Sequence, residues 1–509
     1  MRKHSEATRS LWMATCDVVA YSPLGENHST DVCVVGAGIA GLTAAYLLAK
    51  EGRQVVVVDS RHLAAGQTQR TTAHLVNAHD NFYSVVEKIH GIAGTKIAAA
   101  SHTAAIDTIE RIVADEQIDC DFRRIAGYLF CPPGPSTEIL EKEFDAATRA
   151  GIQGLEIVGR APLASFDTGK ALRYPRQGQF HPLKYLTHLA NAFEAAGGKI
   201  YTGTQVKQVT DGSPVIVETQ HGPQITANAV IVATNTPFND RFAIHTKQAP
   251  YLTYALSSPV PAGSMQPMLL WDTESPYHYV RLQPADDEHQ MLIVGGEDHK
   301  IGQVADQNDR HDRLEVWARE RFPMMGPVAQ RWSGMVLETV DGGAYIGKNP
   351  GEQNVYIATG DSGMGMTHGT IAGLLLTDLI CGRQNAWSAF YDPSRIPMAS
   401  HSLGQFAIEN LNVAKEYVVD WAGFGDQPPV DQLQKDEGTV IRRGFQLVAV
   451  YCNSHGNLQE CSAVCPHLGC IVHWNNLEKV WDCPCHGSRF DAGGNVINGP
   501  AISALKALP

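Results

Sequence analysis

The chain has 509 residues, a formal net charge of −13 and eleven cysteines. A single hydrophobic core stops growing at about 250–300 residues, so several domains are expected. The acidic balance, without a basic cluster, argues against nucleic acid as a partner, because nucleic-acid binding requires a positive surface. No apolar run is long enough to predict a membrane span, and the N-terminus lacks the apolar stretch of a secretory signal. We therefore expect a cytoplasmic protein.

The first predicted element is a strand–helix–strand unit. A buried run at residues 31–35 and a second strand at residues 54–58, which ends at Asp59, enclose a helical stretch. The helix is preceded by glycines with G-x-G-x-x-G spacing, namely Gly36, Gly38 and Gly41. Such glycines permit a tight turn and close approach of a phosphate, and the acid binds a ribose hydroxyl. The unit predicts a dinucleotide site, and without a second complete fingerprint a two-nucleotide reductase is disfavoured.

Two later segments extend this pattern. Residues 229–234 predict a strand, and residues 354–359 predict another that leads through a glycine-rich loop into a helix at residues 370–379. With the N-terminal unit, this order resembles the superfamily of D-amino acid oxidase, glycine oxidase and sarcosine oxidase. The resemblance implies FAD as cofactor and a late loop that closes over the flavin ring. Beyond the first glycines and Asp59, we assign these residues to the cofactor: Thr71, Thr72, Val206, Gly360, Gly363, Met364 and Gly365.

The resemblance also implies how the first module, residues 1–395, is organised. A Rossmann-type FAD-binding domain is expected to be interleaved with a mixed-sheet substrate domain, which is an α/β and α+β arrangement. The FAD-binding segments are expected at about residues 31–77, 195–240 and 335–385, and the substrate-domain segments at about 78–194 and 241–334.

The segment at residues 66–74 lies beside the cofactor in this superfamily. Relatives that resemble dimethylglycine dehydrogenase carry flavin covalently on a histidine in a T-x-H sequence there. Because the surrounding residues differ in this chain, a hydrogen-bonded or packed His74 is favoured. His74 and His79 also have a spacing that could suit the iron of a Rieske oxygenase, but no acid lies suitably upstream, so we treat this spacing as coincidence.

The substrate pocket is expected between the flavin and strands from the middle of the chain. Strand alternation places Tyr277, Tyr279 and Arg281 on one face of the sheet. Our pocket candidates are therefore Tyr254, Tyr279 and Arg281. An equally good interpretation is that these side chains form ordinary cross-strand pairs.

Two departures from the oxidases concern substrate and oxygen. Amino-acid oxidases carry an arginine shortly before the segment that matches residues 341–347, where it binds the substrate carboxylate, and this chain has none there. Sarcosine-oxidase-like enzymes use a lysine to promote the reaction with oxygen, in a strand similar to residues 292–295. That strand is apolar here and carries Ile293, so we expect oxygen to be a poor electron acceptor.

Residues 396–435 are predicted to connect two modules. Apolar residues recur at helical spacing between residues 403 and 421, which predicts a helix packed on the flavin domain. The stretch from residue 423 to 435 contains a Pro-Pro pair and is expected to be a linker.

The C-terminal segment carries two pairs of metal-binding side chains. Cys465 and His467 form the first pair, and Cys483 and His486 form the second. Two thiolates and two imidazoles are the ligand set of a Rieske 2Fe–2S centre, in which histidines replace cysteines on one iron. Zinc also accepts Cys₂His₂, but zinc fingers pair their cysteines in one loop and their histidines in another. The pattern therefore favours the cluster.

Residues 436–509 as a whole resemble an all-β Rieske domain. The resemblance implies a disulfide between Cys470 and Cys485 that ties the two cluster loops together. It also implies that the Ser488 hydroxyl bonds a cluster sulfide. Phe490 stands where high-potential members have a tyrosine, so a somewhat lower potential is expected. Taken together, the chain resembles the bacterial group in which an FAD-dependent oxidoreductase is fused to a Rieske domain.

This pairing of cofactors predicts a function. Flavin accepts two electrons at once from a substrate, whereas a Rieske centre carries one electron at a time. We expect an FAD-dependent dehydrogenase that oxidises a C–N bond of a small amine or amino-acid-like substrate and passes electrons singly to the cluster and then to an external acceptor. The alternative is an electron-transfer component that relays electrons between an external donor and a partner enzyme.

Overall fold

The computed structural model describes residues 7–134, 136–239, 244–303, 307–396, 400–423 and 430–508. The strands, numbered in chain order, are β1 (His28–Val35), β2 (Val55–Val58), β3 (His74–Leu75), β4 (Arg123–Phe130), β5 (Glu156–Val158), β6 (Ala171–Gln179), β7 (Lys199–Tyr201), β8 (Val206–Thr210), β9 (Val215–Thr219), β10 (Gln224–Val232), β11 (Gln248–Pro261), β12 (Leu269–Asp272), β13 (His278–Pro284), β14 (His289–Lys300), β15 (Gln330–Thr339), β16 (Tyr345–Lys348), β17 (Val355–Thr359), β18 (Glu437–Arg443), β19 (Gln446–Cys452), β20 (Leu458–Ser462), β21 (His473–Asn475), β22 (Val480–Asp482), β23 (Arg489–Asp491) and β24 (Val496–Asn498). The α-helices are α1 (Leu11–Thr15), α2 (Ile39–Lys50), α3 (Tyr83–Asp115), α4 (Glu138–Ala150), α5 (Pro182–Ala195), α6 (Gln307–Arg321), α7 (Gly365–Ile380), α8 (Ser388–Tyr391) and α9 (Ser400–Gly423).

The first sheet has the order β16-β17-β10-β1-β2-β7, with β8 and β9 joined at β10. The strands β10, β1, β2 and β7 pair in parallel, and the burial of the valine-rich β1 and β2 is typical of a parallel sheet covered on both faces. Helices α2 and α7 pack closely together, because Gly369 and Gly373 leave no side chain between them and the residues Ile39 and Thr43. This sheet presents the ends of β1, β10 and β17 to the cofactor cavity.

The second sheet has the order β15-β11-β14-β13-β12-β4-β6-β3, with β5 paired to β6. Its pairs are antiparallel except for β12 and β4, which run in parallel, so the sheet is mixed as expected. The C-terminal module is all-β and contains the sheets β18-β19-β20 and β21-β22-β23-β24. The predicted fold class is confirmed.

The predicted connecting helix is present as α9, but its packing differs from the expectation. Glu409 and Asn410 hold it to the flavin module through Lys300 and the Thr246 carbonyl, and Trp421 donates to the Gly469 carbonyl of the C-terminal module. Three of its apolar side chains are largely exposed: Leu403, Ile408 and Leu411. The helix therefore bridges the modules along one edge. Part of the predicted linker, residues 424–429, lies outside the described residues.

Within the described ranges, no helix is both long and apolar enough to cross a membrane. The cytoplasmic location stays a prediction.

A buried ionic cluster joins the two modules. The Glu478 carboxylate, on the turn before β22, accepts from Arg70 Nη1 at 3.2 Å, Thr8 Oγ1 at 2.6 Å and Ser333 Oγ at 2.5 Å. The side chains of Arg70 and Glu478 are 1% and 0% exposed. Burial alone would raise the pKa of Glu478, but the Arg70 charge and the hydrogen bonds from Ser333 and Thr8 favour the carboxylate and lower the pKa to about 2. The C-terminal module is thereby bonded to three separate parts of the flavin module, at Thr8, Arg70 and Ser333.

Glu478→Gln should therefore destabilise the whole protein. Removing one member of a buried ion pair is strongly destabilising, at a cost of about 3–5 kcal/mol. Urea unfolding of the holoprotein should show this loss. The matched control is Glu460→Gln, which breaks the exposed pair with Arg443 and should leave stability unchanged. Equal effects of the two substitutions would contradict the prediction.

Candidate functional site

One cavity of about 540 Å³ runs between the modules. The ends of the first sheet form one end of it, and strands of the second sheet form the other. The remaining wall comes from the C-terminal module, through Val496, Ile497, Asn498, Gly499, Ala501 and Ile502. Gln205 reinforces this wall by donating to the Ile502 carbonyl at 3.0 Å. The cavity is therefore complete only when both modules are in place.

The predicted nucleotide residues lie at one end of the cavity. Gly36 has φ of 110°, and a Cβ there would overlap the Ala233 carbonyl. Gly38 lines the cavity and precedes α2. As the N-cap it supplies no side chain, and although the Ile39 N–H donates to Thr68 Oγ1 at 3.2 Å, the start of the helix can still offer backbone N–H groups to a phosphate. Gly41 is different: its missing Cβ admits the Gly36 carbonyl, so this glycine serves close packing.

Asp59 also lies at this end. Its Oδ2 accepts the Ala37 N–H and its Oδ1 accepts the Arg61 N–H, both at 2.8 Å, which aims the carboxylate across the glycine turn. Val206, at the start of β8, lines the cavity next to it. These positions suit the adenosine half of FAD.

The late glycine loop lies further along the same cavity. Gly363, Met364 and Gly365 line it at the start of α7, where Met364 provides no side-chain cap. Gly363 has φ of 77° and lies against the Asp80 carboxylate, which a Cβ would overlap. Gly360 also has positive φ but packs against Thr339, so it shapes the loop without being part of the lining.

Thr71, Thr72 and His74 border the cavity together. The Thr71 hydroxyl accepts the Ala73 N–H at 3.0 Å, and Thr72 Oγ1 lies 3.1 Å from His74 Nδ1. Burial lowers the pKa of His74 to about 3, so the ring is neutral. It packs edge-on against Tyr279 with ring centroids 5.6 Å apart.

Of the three pocket candidates, the structure places only Tyr279 at the cavity. The Tyr279 hydroxyl is 2.7 Å from Thr253 Oγ1, and both residues line the wall. Tyr254 is fully buried in the second core, where it stacks on His299, so its assignment to the pocket was wrong. The sequence could not distinguish the core residue Tyr254 from the cavity-lining Tyr279, because a strand that is covered on both faces shows no polar alternation.

Arg281 was also assigned to the pocket wrongly. It is fully buried, and its Nη1 donates to the carbonyls of Thr72, Ala73 and Phe180 at 3.2, 2.7 and 3.2 Å. Burial lowers its pKa to about 9. The guanidinium therefore holds the cofactor loop from behind and does not face a substrate.

Four carboxyl groups influence one another in this region, of which Asp80 and Asp361 line the cavity and Asp298 and Glu338 do not. Asp80, beside Gly363, is exposed to the cavity but surrounded by protein, and burial together with the Asp361 charge raises its pKa to about 7. Burial raises the pKa of Asp361 to about 6 and of Asp298 to about 7. Burial and the Asp80 charge also raise the pKa of Glu338. No sequence pattern predicts this cluster, because its members come from four distant segments.

The four predicted cluster ligands are brought together on two loops. Cys465 and Cys483 are buried, and the His467 and His486 rings lie 5.0 Å apart. The Cys483 thiol and the N–H groups of His467 and Leu468 bond to Cys465 and lower its pKa despite burial. His486 Nδ1 is buried without a hydrogen-bond partner in the described chain, as expected of a nitrogen kept for a metal ion.

The residues around the four ligands also lie as the sequence predicts. Cys470 and Cys485 form a disulfide that joins the loops, with their Cα atoms 6.4 Å apart. The buried Ser488 hydroxyl bonds to Cys465 and accepts the Ala501 N–H at 3.1 Å. Phe490 is fully buried and supplies no hydroxyl.

The side of the cluster site that carries His467 and His486, here called the histidine edge, faces the flavin module. His245, in a short 3₁₀ helix before β11, packs edge-on against His467 and His486 with ring centroids 5.0 and 5.6 Å apart. His486 is 9% exposed. Next to it, a methyl at Gly487 would lie 2.8 Å from Pro250 Cβ and 3.2 Å from Met335 Sδ. The docked arrangement expected from the sequence, with a cluster histidine buried against the flavin domain, is present.

These residues fit both cofactors. The uncapped helices, the glycine turn and Asp59 suit a dinucleotide within a long cavity, and the paired Cys–His loops suit a 2Fe–2S cluster. His245 and Glu478 were missed from the sequence, since neither belongs to a local motif and both act across the module boundary.

Comparison with known proteins defines the class. Residues 31–379 match the family described as DAO, FAD dependent oxidoreductase, and residues 426–509 match the Rieske [2Fe-2S] domain. The chain therefore belongs to the DAO family of FAD-dependent oxidoreductases and carries a C-terminal Rieske domain that binds a 2Fe–2S cluster.

Individual relatives cover the chain in different ways. A Bacillus subtilis protein named as Rieske 2Fe-2S iron–sulfur protein YhfW is 29% identical over 507 residues, which are 99% of this chain and 98% of the relative. Gamma-glutamylputrescine oxidoreductase of Escherichia coli is 29% identical over 409 residues, 77% of this chain and 93% of the relative. The glycine oxidase structure from Geobacillus kaustophilus, 19% identical, superposes with a TM-score of 0.61 and covers 73% of this chain and 100% of its own.

Phe490→Tyr should raise the reduction potential of the cluster. A tyrosine hydroxyl would add a hydrogen bond to sulfur, which favours the reduced, more negative cluster. Potentiometry followed by electron paramagnetic resonance measures the change, and Phe490→Leu is the control without a hydroxyl. An unchanged potential in the tyrosine variant would show that Phe490 is not the cause of a low potential.

Asp80→Asn should stabilise the FAD-free protein increasingly as pH rises from about 4 to about 7. The folded-state pKa of Asp80 is raised to about 7, so the wild-type folded state binds an extra proton in this window and loses stability as that proton leaves. Denaturant unfolding at several pH values should show the gap between variant and wild type widening, then levelling above pH 7. A gap that is constant across this range would contradict the assignment.

Proposed function

We propose that this protein is a dehydrogenase that oxidises a C–N bond of an amine or amino-acid-like substrate at FAD and passes the electrons singly to its Rieske cluster. The named relatives support the substrate class, since one is a gamma-glutamylputrescine oxidoreductase and another a glycine oxidase. The mixed sheet supplies a walled substrate end, lined by Tyr277, Tyr279 and Trp271.

The observation that carries this proposal is the shared wall between the two cofactor sites. Met335 lines the flavin cavity, and its sulfur also contacts the C-terminal module, 3.9 Å from Asn498 Nδ2. The Met335 N–H donates to Gln67 Oε1 at 2.7 Å, which ties it to the cofactor loop. Met335 therefore lies between the cavity and the loop that carries Cys483 and His486, which it meets at Gly487. Such a short separation favours electron transfer inside the molecule.

The chemistry divides between cofactors and chain. FAD takes up two electrons from a substrate and the cluster carries one at a time. Removal of two electrons and two protons from an amine leaves an imine, which water can hydrolyse. The chain must hold the amine against the flavin and keep bulk water away. Tyr279, fixed by Thr253, and the neutral His74 provide a rigid, uncharged wall for this task.

Electrons that reach the cluster need an external acceptor. His245 and α9 cover the histidine edge of the cluster site. Glu409 and Asn410 of α9 line a small pocket together with His245 and His486. An acceptor would therefore meet the C-terminal module on another face.

Anaerobic stopped-flow mixing of the holoprotein with a panel of amines tests the proposal. We expect one class of amine to bleach the flavin and the cluster signal to appear in the same reaction. Reoxidation of the flavin by air should be slower than turnover with an artificial acceptor. If air reoxidises it as fast as turnover while the cluster stays oxidised, the protein is an oxidase. If only a reduced nicotinamide or redox protein bleaches it, the protein is a relay.

Gly487→Ala should slow the reduction of the cluster without slowing the bleaching of the flavin. Its φ of 76° and the contact with Pro250 mean that an added methyl pushes the cluster loop away from the flavin module. Gly444→Ala is the matched control, because Gly444 has φ of 63° and nothing within 4 Å of the added methyl. Unchanged electron paramagnetic resonance must show that the cluster is intact. Equal cluster reduction rates in both variants would count against the Met335 contact.

A further inference from the structure

The loop that follows β24 lies at the nucleotide end of the flavin cavity. Gln205, just before β8, lines the cavity and donates from Nε2 to the Ile502 carbonyl at 3.0 Å. The preceding residue, Thr204, donates its N–H to the Asp59 carbonyl at 2.7 Å. Asp59 is the acid assigned to a ribose of the cofactor. Ile502, a residue of the C-terminal module, is therefore anchored beside the part of the site that holds the nucleotide.

The same loop also meets the end of β10. A Cβ added at Gly499 would lie 3.5 Å from the Thr236 carbonyl, and both residues line the cavity. Thr236 follows β10 closely, and the carbonyl of Ala233, the first residue after that strand, lies against Gly36 of the glycine turn. Residues 499–502 therefore span the cavity wall from the end of β10 to the start of β8, two strands of the first sheet.

The cover that this loop and β24 provide is apolar. Val496, Ile497, Ala501 and Ile502 line the cavity, and Val206 of the flavin module lines it at the nucleotide end. Apolar surface that is removed from water stabilises a contact, so a base or a ribose face held against these side chains would be shielded from solvent. This wall suits the uncharged parts of a nucleotide, just as the glycine turn suits its phosphates.

The position of the loop is set by the fold of the C-terminal module. The Ala501 N–H donates to the Ser488 hydroxyl at 3.1 Å, and the Leu505 N–H donates to the Gly494 carbonyl at 2.8 Å. The loop is thus bonded on both sides to its own module and moves with it. Undocking of the module would uncover the nucleotide end of the cavity.

A second connection leads from the module to the cofactor loop at residues 67–72. Arg70 lines the cavity, and its Nη1 donates to the Glu478 carboxylate at 3.2 Å. Trp12 holds the same loop from the N-terminal segment, since its Nε1 donates to the Thr71 carbonyl at 2.5 Å. The docked module therefore acts on the FAD site in two ways, directly through residues 499–502 and indirectly through Arg70.

We propose that the Rieske module is part of the FAD-binding site: residues 499–502 cover the nucleotide half of the cofactor, and Ile502 is a cofactor-binding residue supplied by the second module. FAD binding and docking of the C-terminal module then stabilise each other, because coupling between two binding events is reciprocal. FAD leaves only after the module has moved away from Gln205. The inference goes beyond the proposed function and is independent of which substrate is oxidised.

The first test measures how fast FAD leaves the holoprotein, by repeated ultrafiltration of dilute protein and flavin absorbance of the filtrate. Ile502 is 38% exposed, so Ile502→Asp adds a carboxylate at the nucleotide end without forcing a charge into the core. We expect FAD release about tenfold faster, because the charge opposes the pyrophosphate and disrupts the apolar cover. Ile502→Leu should keep the slow release of the wild type.

The matched control is Ser503→Asp, which adds the same charge at the next position. Ser503 is exposed and is not one of the residues that line the cavity, so this variant should release FAD as slowly as the wild type. Electron paramagnetic resonance of the cluster reports whether the C-terminal module is folded in each variant. Equal release rates in Ile502→Asp and Ser503→Asp would overturn the inference.

The second test uses the unaltered sequence and compares amide hydrogen exchange in the FAD-loaded and FAD-free proteins by mass spectrometry. Peptides that contain residues 496–502 should exchange about fivefold faster without FAD, because their cover over the cavity is loosened. Peptides from β19 of the same module should exchange equally in both states and serve as the internal control. Equal exchange at residues 496–502, or a matching increase in β19, would overturn the inference.

Discussion

The arrangement of this protein depends on one buried carboxylate. Glu478 belongs to the C-terminal module, yet its partners Arg70, Thr8 and Ser333 all belong to the flavin module. A buried charge is costly unless every partner is in place, so the modules can part only by exposing or stranding these groups. The ion pair therefore selects one relative orientation. A loosely tethered cluster domain would not need such an interaction.

That orientation has two effects on the cofactors. It turns the ligand histidines toward His245, so this side of the cluster site is covered by the same chain. It also makes residues of β24 and the following loop part of the flavin cavity. Electron transfer between the sites, as proposed above, would cross a fixed interface at which Met335 packs against Gly487.

The sequence predicted what local patterns encode. The glycine turn, Asp59 and the paired Cys–His loops depend on residues close together in the chain, and the structure assembles them as expected. The substrate wall was predicted poorly: Tyr254 and Arg281 are core residues, because alternation along a strand does not reveal which face is covered. Asp80 and Glu338 are neighbours only because the fold brings a loop next to a distant strand. No pattern within either segment predicts that they lie close together.

The contribution of residues 496–502 to the flavin cavity has a consequence for how the protein matures. Domains of a large chain fold in the order in which the ribosome releases them, so the flavin module takes shape while the last wall of its cavity has yet to be made. The cavity stays open on that side until the final residues emerge and the C-terminal module closes on it. The order of synthesis therefore places the folding of the flavin module before the closure of its cavity by the C-terminal module.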